Sequence, residues 1–225
     1  MRCKHEQPRR YLNELINFIA INHFQMSALN LGRTEFGNPS NKDRVISPAE
    51  ADDIFNDWVK NDRLKLHMKQ VAALMKAWAR DREGLDEQEQ WKWEMAGLLH
   101  DADWDQWPDE HCKKIIAELE NRNVDLEIIH AIASHGPKYF GVEPITRMDK
   151  MLYAFDELSG LIHAYSLMRP NGYEAMEVKG VKKRLKEKSF AANVSREDIS
   201  DACVRAGIGP DEIIAFIILH QPAVV

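Results

Sequence analysis

AGLLHDADWD, residues 96–105, is the stretch whose reading decides the fold. An apolar run, Ala96-Gly97-Leu98-Leu99, ends on His100 and Asp101 side by side, and Asp103 and Asp105 follow. The run reads as the packed face of a helix, and that face leads straight into an imidazole and a carboxylate. Trp93, Ala96, Gly97 and His100 share one helical stripe, so His100 should point inward near the helix end. A buried carboxylate is costly unless it is paired or bound to a cation.

The same spacing recurs elsewhere. In a helix expected over 62–82, Leu64, Val71, Leu74, Met75 and Trp78 mark the apolar face, and His67 falls on it. In a short helix expected over 125–135, Ile128 and Ile132 lead to His135. In a long one over 146–168, Leu152, Asp156, Ser159 and His163 follow one another at helical spacing. Four helices each send a His or Asp toward the middle. Singly, such a histidine is more often a hydrogen-bonded core residue; together, in this order, they suit a metal site inside a bundle. His100 and Asp101 cannot share one helical face, but at a helix end both can reach one ion or two neighbouring ions. The nitrogen and oxygen donors suit Mn, Fe, Co, Ni or Zn better than a metal that seeks soft thiolates.

The rest of the chain is helical too. Further helices are expected at 9–24, from 47, and over 88–101, 108–122, 178–189, 195–206 and 210–220. Residues 30–46 read as a loop or linker, and no strand pattern occurs, so the fold class is all-α. The 225 residues are 44% hydrophobic and 29% charged, with a net charge of -6, as in ordinary globular chains. That charge argues against general nucleic-acid binding. No apolar stretch is long enough to span a membrane, and the N-terminus does not read as a signal peptide. Cys3, Cys112 and Cys203 are odd in number and far apart, which suggests no disulfide framework and a reducing, cytoplasmic setting.

His67 in LKLHMKQVAALM, His100-Asp101 in AGLLHDADWD and Asp156 in KMLYAFDELSGLIHA resemble the H…HD…D signature of the HD-domain superfamily of metal-dependent phosphohydrolases. His111 in PDEHCKKIIAEL and His135 in IIHAIASHG resemble the extra histidines of its two-metal members. Those members carry Gly where Ile115 stands and a second His where Gly136 stands. DELSGLIHAYSLMRP and MEVKGVKKRLKEKSFAANVSRE resemble one bacterial HD subfamily, and the likeness covers about 47–220.

The resemblance implies an HD-domain helical bundle over 47–225, preceded by an extension over 1–46 made of a docked helix and a linker. His67, His100, Asp101 and Asp156 would hold one divalent transition metal ion. Asp101 would bridge to a second ion on His111 and His135. Water activated by the metal would attack the phosphorus of a small phosphorylated substrate. Arg147 and Lys150 are candidate cations for its phosphate, and Asp105 is a candidate acid or water-orienting group or a plain cap. His130 is a substrate contact or a surface histidine. The basic run from Lys179 to Lys188 is a solvated face or a phosphate collar. Trp104 and Trp107 pack, or wall a pocket that stacks a base. Two other functions stay open: a di-iron HD-type oxygenase, and a non-catalytic, metal-bound regulatory module. A homo-oligomer is left open as well.

Overall fold

Side-chain caps set where the helices begin. The Ser47 hydroxyl accepts from Glu50 N, the Glu50 carboxylate accepts from Ser47 N, and Pro48 fills the first turn, so α1 spans Pro48–Trp58. Asn61 Oδ1 accepts from the amides of Arg63 and Leu64 and opens α2 (Asp62–Asp81). Asp86 caps α3 (Glu87–Leu99) through Glu89 N. After α4 (Lys113–Asn121), Asp125 caps α5 (Leu126–Ser134) through Glu127 N. A single turn, α6 (Pro137–Phe140), precedes α7 (Arg147–Met168), which opens with a Thr146–Asp149 capping box. The chain continues through α8 (Val178–Lys186), α9 (Arg196–Ala206) and α10 (Pro210–His220). These elements come from a computed structural model that describes residues 29–41 and 44–224. The helix expected at 9–24 lies outside the described residues.

Among the described residues the architecture is all-α, with no strand. α2 and α3 pair along their lengths, and α7 lies against α2, α5 and α9. Gly97 allows the close α2–α3 contact: a Cβ there would sit 2.8 Å from Ala72 Cα. Trp78 on α2 fits between Phe155 of α7 and Phe216 of α10, with ring centroids 5.7 and 4.8 Å away. Truncating such a buried aromatic to alanine typically costs about 3–5 kcal/mol. A polar tie joins α3 to α5: buried Lys92 lies 2.8 Å from Glu89 and 2.9 Å from Asp125. The segment before α1 is held by Arg33, forked onto Glu120 at 2.9 and 2.7 Å, and by Leu31 N donating to Phe140 O.

Two local departures from the expected helices matter for the site. The helix expected over 108–122 is broken: Pro108–Glu110 form a 3-10 turn, Cys112 turns the chain with φ +66°, and α4 starts only at Lys113. The loop expected between Pro137 and Pro144 holds the one-turn α6, whose Phe140 packs under two histidines.

Candidate metal centre

The six candidate ligands come from five stretches of backbone. α2 carries His67, the end of α3 delivers His100 and Asp101, the segment before α4 delivers His111, the end of α5 delivers His135, and mid-α7 carries Asp156. The six side chains converge, with Asp101 between two groups. On one side, its Oδ2 lies 3.3 Å from His100 Nε2 and 3.8 Å from His67 Nε2. Asp156 Oδ1 closes that group, 3.0 Å from His67 Nε2 and 3.5 Å from His100 Nε2. On the other side, Asp101 Oδ1 lies 3.3 Å from His111 Nε2 and 3.6 Å from His135 Nε2.

These separations are the edges expected of donors around a cation. At metal–ligand bonds of about 2.1 Å, neighbouring donors lie about 3.0 Å apart in octahedral and about 3.4 Å in tetrahedral arrangements. His67, His100, Asp101 and Asp156 form one group compact enough to hold an ion, and His111 and His135 belong to a second.

The imidazoles are aimed by hydrogen bonds on their far nitrogens. His100 Nδ1 donates to Gly97 O at 2.8 Å, and His135 Nδ1 donates to Ile132 O at 2.6 Å. That leaves Nε2 of each ring as the lone-pair nitrogen. Both Nε2 atoms are buried and accept no hydrogen bond. An orphaned buried acceptor is costly, and a cation would satisfy it. His111 Nδ1 donates to Asp103 Oδ1 at 2.8 Å, and Asp103 Oδ2 accepts from Ile115 N at 3.0 Å. Asp103 therefore fixes the His111 ring and also caps α4, whose own N-cap residue, Cys112, makes no side-chain cap.

The electrostatics favour a cation at the centre. Burial opposes charge on Asp101, but the imidazoles of His100 and His111 hold its carboxyl below the usual range. Burial likewise opposes charge on Asp156, which His100 and His67 hold well below that range. Burial disfavours an imidazolium at His100, yet the negative charges of the neighbouring Asp101 and Asp156 push its pKa well above the usual value. His135 is pushed down to about 4 by burial and by His100. The floor of the site is closed, with His100 and His111 fully buried, while His67, Asp101 and Asp156 keep 12%, 14% and 17% of their side-chain surface. Access is from that side.

Three expected contributors make hydrogen bonds away from this cluster. Asp105 Oδ2 accepts from the amides of Lys60 and Asn61 at 2.7 and 2.8 Å, so it braces the α1–α2 turn. Arg147 donates from Nε to Glu83 and from Nη1 to Ala206 O, which ties the α2–α3 turn, α7 and α9 together. His130 Nδ1 pairs with Asp149 Oδ2 at 2.9 Å, and its ring packs edge-on to Phe36. Lys150 precedes Asp156 by six residues, which puts it about 9 Å along the helix axis and about 120° around it.

The tryptophans pack: Trp107 meets Trp58 edge-on at 4.8 Å, and Trp104 meets His111 at 5.0 Å. In the basic run, Lys182 pairs with Asp211, Arg184 with Glu187 and Lys179 with Glu177, a salt-bridged surface. Sequence reasoning missed Cys112, whose Sγ lies 3.8 Å from His111 Nε2. Its signal was its place in the chain, directly after His111.

Residues 66–161 match the model of the HD domain family. No curated protein and no solved structure matches the chain. Among the described residues, no helix is long and apolar enough to cross a membrane.

Proposed function

Residues 66–161 form an HD domain, the mark of a superfamily of metal-dependent hydrolases, and on that premise we propose that this protein is a phosphohydrolase acting on a small phosphorylated substrate. The observation that carries the reading is Asp101, whose two oxygens face two separate sets of histidines. Such a carboxylate can serve two ions at once, the arrangement suited to clamping both sides of a phosphoryl displacement.

A bound divalent ion would lower the pKa of water toward neutrality and neutralise phosphoryl oxygens. His67, His100, Asp101 and Asp156 would hold one such ion, and Asp101, His111 and His135 a second. The carbonyls of Gly97 and Ile132 keep the proton of His100 and His135 on Nδ1 and free Nε2 for the ion. Asp103 does the same for His111. Asp101 and Asp156 repel a phosphate by themselves, so substrate binding at the open side depends on the cation between them. Phe140, packed on His111 and His135, keeps water from the floor.

The test is phosphate release from p-nitrophenyl phosphate and a panel of nucleotides, with the protein loaded in turn with Mn, Fe, Co, Ni and Zn. Turnover that disappears in Asp101→Ala supports the reading. Metal-loaded protein that releases no phosphate from any of them, but consumes oxygen with iron, points instead to the di-iron oxygenase. Metal-loaded protein inert in both assays points to a regulatory module.

A further inference from the structure

Cys112 sits against the deeper half of the cluster in a conformation that costs energy. Its backbone φ is +66°, a region that residues with a Cβ rarely adopt and that persists where the surroundings demand it. Its thiol is fully buried. Sγ lies 3.8 Å from His111 Nε2, the nitrogen that faces Asp101. It also lies 3.8 Å from His135 Nδ1 and 3.7 Å from Ile132 O, a weak thiol contact at best. With zinc-like bonds of about 2.3 Å to sulfur and 2.0–2.1 Å to nitrogen, a tetrahedral site has an S–N edge of about 3.5 Å. The spacing from Sγ to His111 Nε2 is close to that edge. His111, Cys112 and His135 together form a group compact enough to hold an ion. The second observation is His135 Nε2, which is buried and without a hydrogen-bond partner, 3.6 Å from the same Asp101 oxygen.

We propose that Cys112 is a ligand of the second ion, so that the site on the Oδ1 side of Asp101 contains a thiolate while the site on the Oδ2 side has only nitrogen and oxygen donors. Thiolates favour thiophilic ions such as Zn2+ and Fe2+ over Mn2+ and Mg2+. The two halves of one centre then differ in the metal they prefer. On binding, the S–H bond breaks, the sulfur lone pair bonds the dication, and the proton passes to solvent. The proposal rests on reading the cluster as a metal centre. It revises the expectation of nitrogen and oxygen donors alone for one half of that centre.

Cobalt(II) is the probe, bound to the full chain and read by absorption. A thiolate ligand gives a sulfur-to-cobalt charge-transfer band in the near ultraviolet, and nitrogen and oxygen donors do not. The expected result is two cobalt ions per chain with this band, and loss of the band in Cys112→Ala, which keeps Cys3 and Cys203. Cys112→Ser serves as the second variant should alanine disturb the turn. Two bound cobalt ions without the band overturn the thiolate and leave the metal centre standing. A band that persists in the folded variant also overturns it, because another cysteine is then the source. A wild-type chain that takes up no cobalt overturns both the thiolate and the metal centre.

Discussion

Gly97 and Ala72 touch through bare backbone: a Cβ added to Gly97 would lie 2.8 Å from Ala72 Cα and 2.9 Å from Ala72 N. This is where α3 crosses α2, one turn before α3 delivers His100. Gly97 also gives its carbonyl to His100 Nδ1. The helix crossing and the orientation of a candidate ligand therefore share one residue. Gly97→Ala gains about 1 kcal/mol of helix propensity. The clash is with backbone that cannot rotate away, and such overpacking costs about 1–3 kcal/mol or more. A lower denaturation midpoint together with reduced metal content is expected; an unchanged midpoint would show that the helices can part freely.

Asp103 serves His111 and α4 together. In Asp103→Asn, the amide NH2 must face either His111 Nδ1–H or Ile115 N–H, so one buried donor loses its acceptor. Loss of such an outer partner typically costs 10–100-fold in metal affinity. Calorimetric titration with zinc should show the second binding event weakened by about that factor and the first nearly unchanged. Equal weakening of both would mean that Asp101 does not divide the two sites as described.

Arg147 offers a contrast. Its guanidinium is committed to Glu83 and to Ala206 O. Arg147→Ala should lower stability by about 1 kcal/mol, since Ala206 O loses its donor while Glu83 keeps Trp78 Nε1, with metal content unchanged. Unaltered stability combined with a raised KM would restore the residue to substrate binding.

Glu50 supplies a pH test away from the centre. Hydrogen bonds from the Ser47 side chain and backbone, and then from Arg44, lower its carboxyl from 4.5 to about 2. A carboxyl depressed on folding adds stability that is complete above pH 4.5 and lost as the pH falls through about 2. The group is partly exposed and screened by solvent, so Glu50→Gln should cost only about 0.5–1 kcal/mol at pH 7. Urea titrations at pH 7 and at pH 3 should show the gap between wild type and variant narrowing at the lower pH. A gap that stays constant would mean that the Glu50 charge contributes nothing to the capping box.

The helices and the inward faces of His67, His100, His135 and Asp156 are legible in the sequence because apolar spacing fixes a helical face locally. The Asp103–His111 bond is not, since it spans a non-helical segment whose path depends on Cys112 turning to positive φ. Arg147 and His130 carry charge or an imidazole, which on a sequence suits a phosphate. Their partners Glu83, Ala206 and Asp149 become neighbours only when the helices pack. Asp105 reads equally as cap or acid until the α1–α2 turn is seen against it.

The most direct test of the central claim is elemental analysis of the full chain, purified without chelators or a metal-affinity column and then incubated with Mn, Fe, Co, Ni or Zn. The proposed bridging role of Asp101 predicts about two transition-metal ions per chain, falling to one or fewer in Asp101→Ala while circular dichroism shows the fold kept. A folded wild-type chain that binds none of these ions, or an Asp101→Ala variant that still holds two, would contradict it.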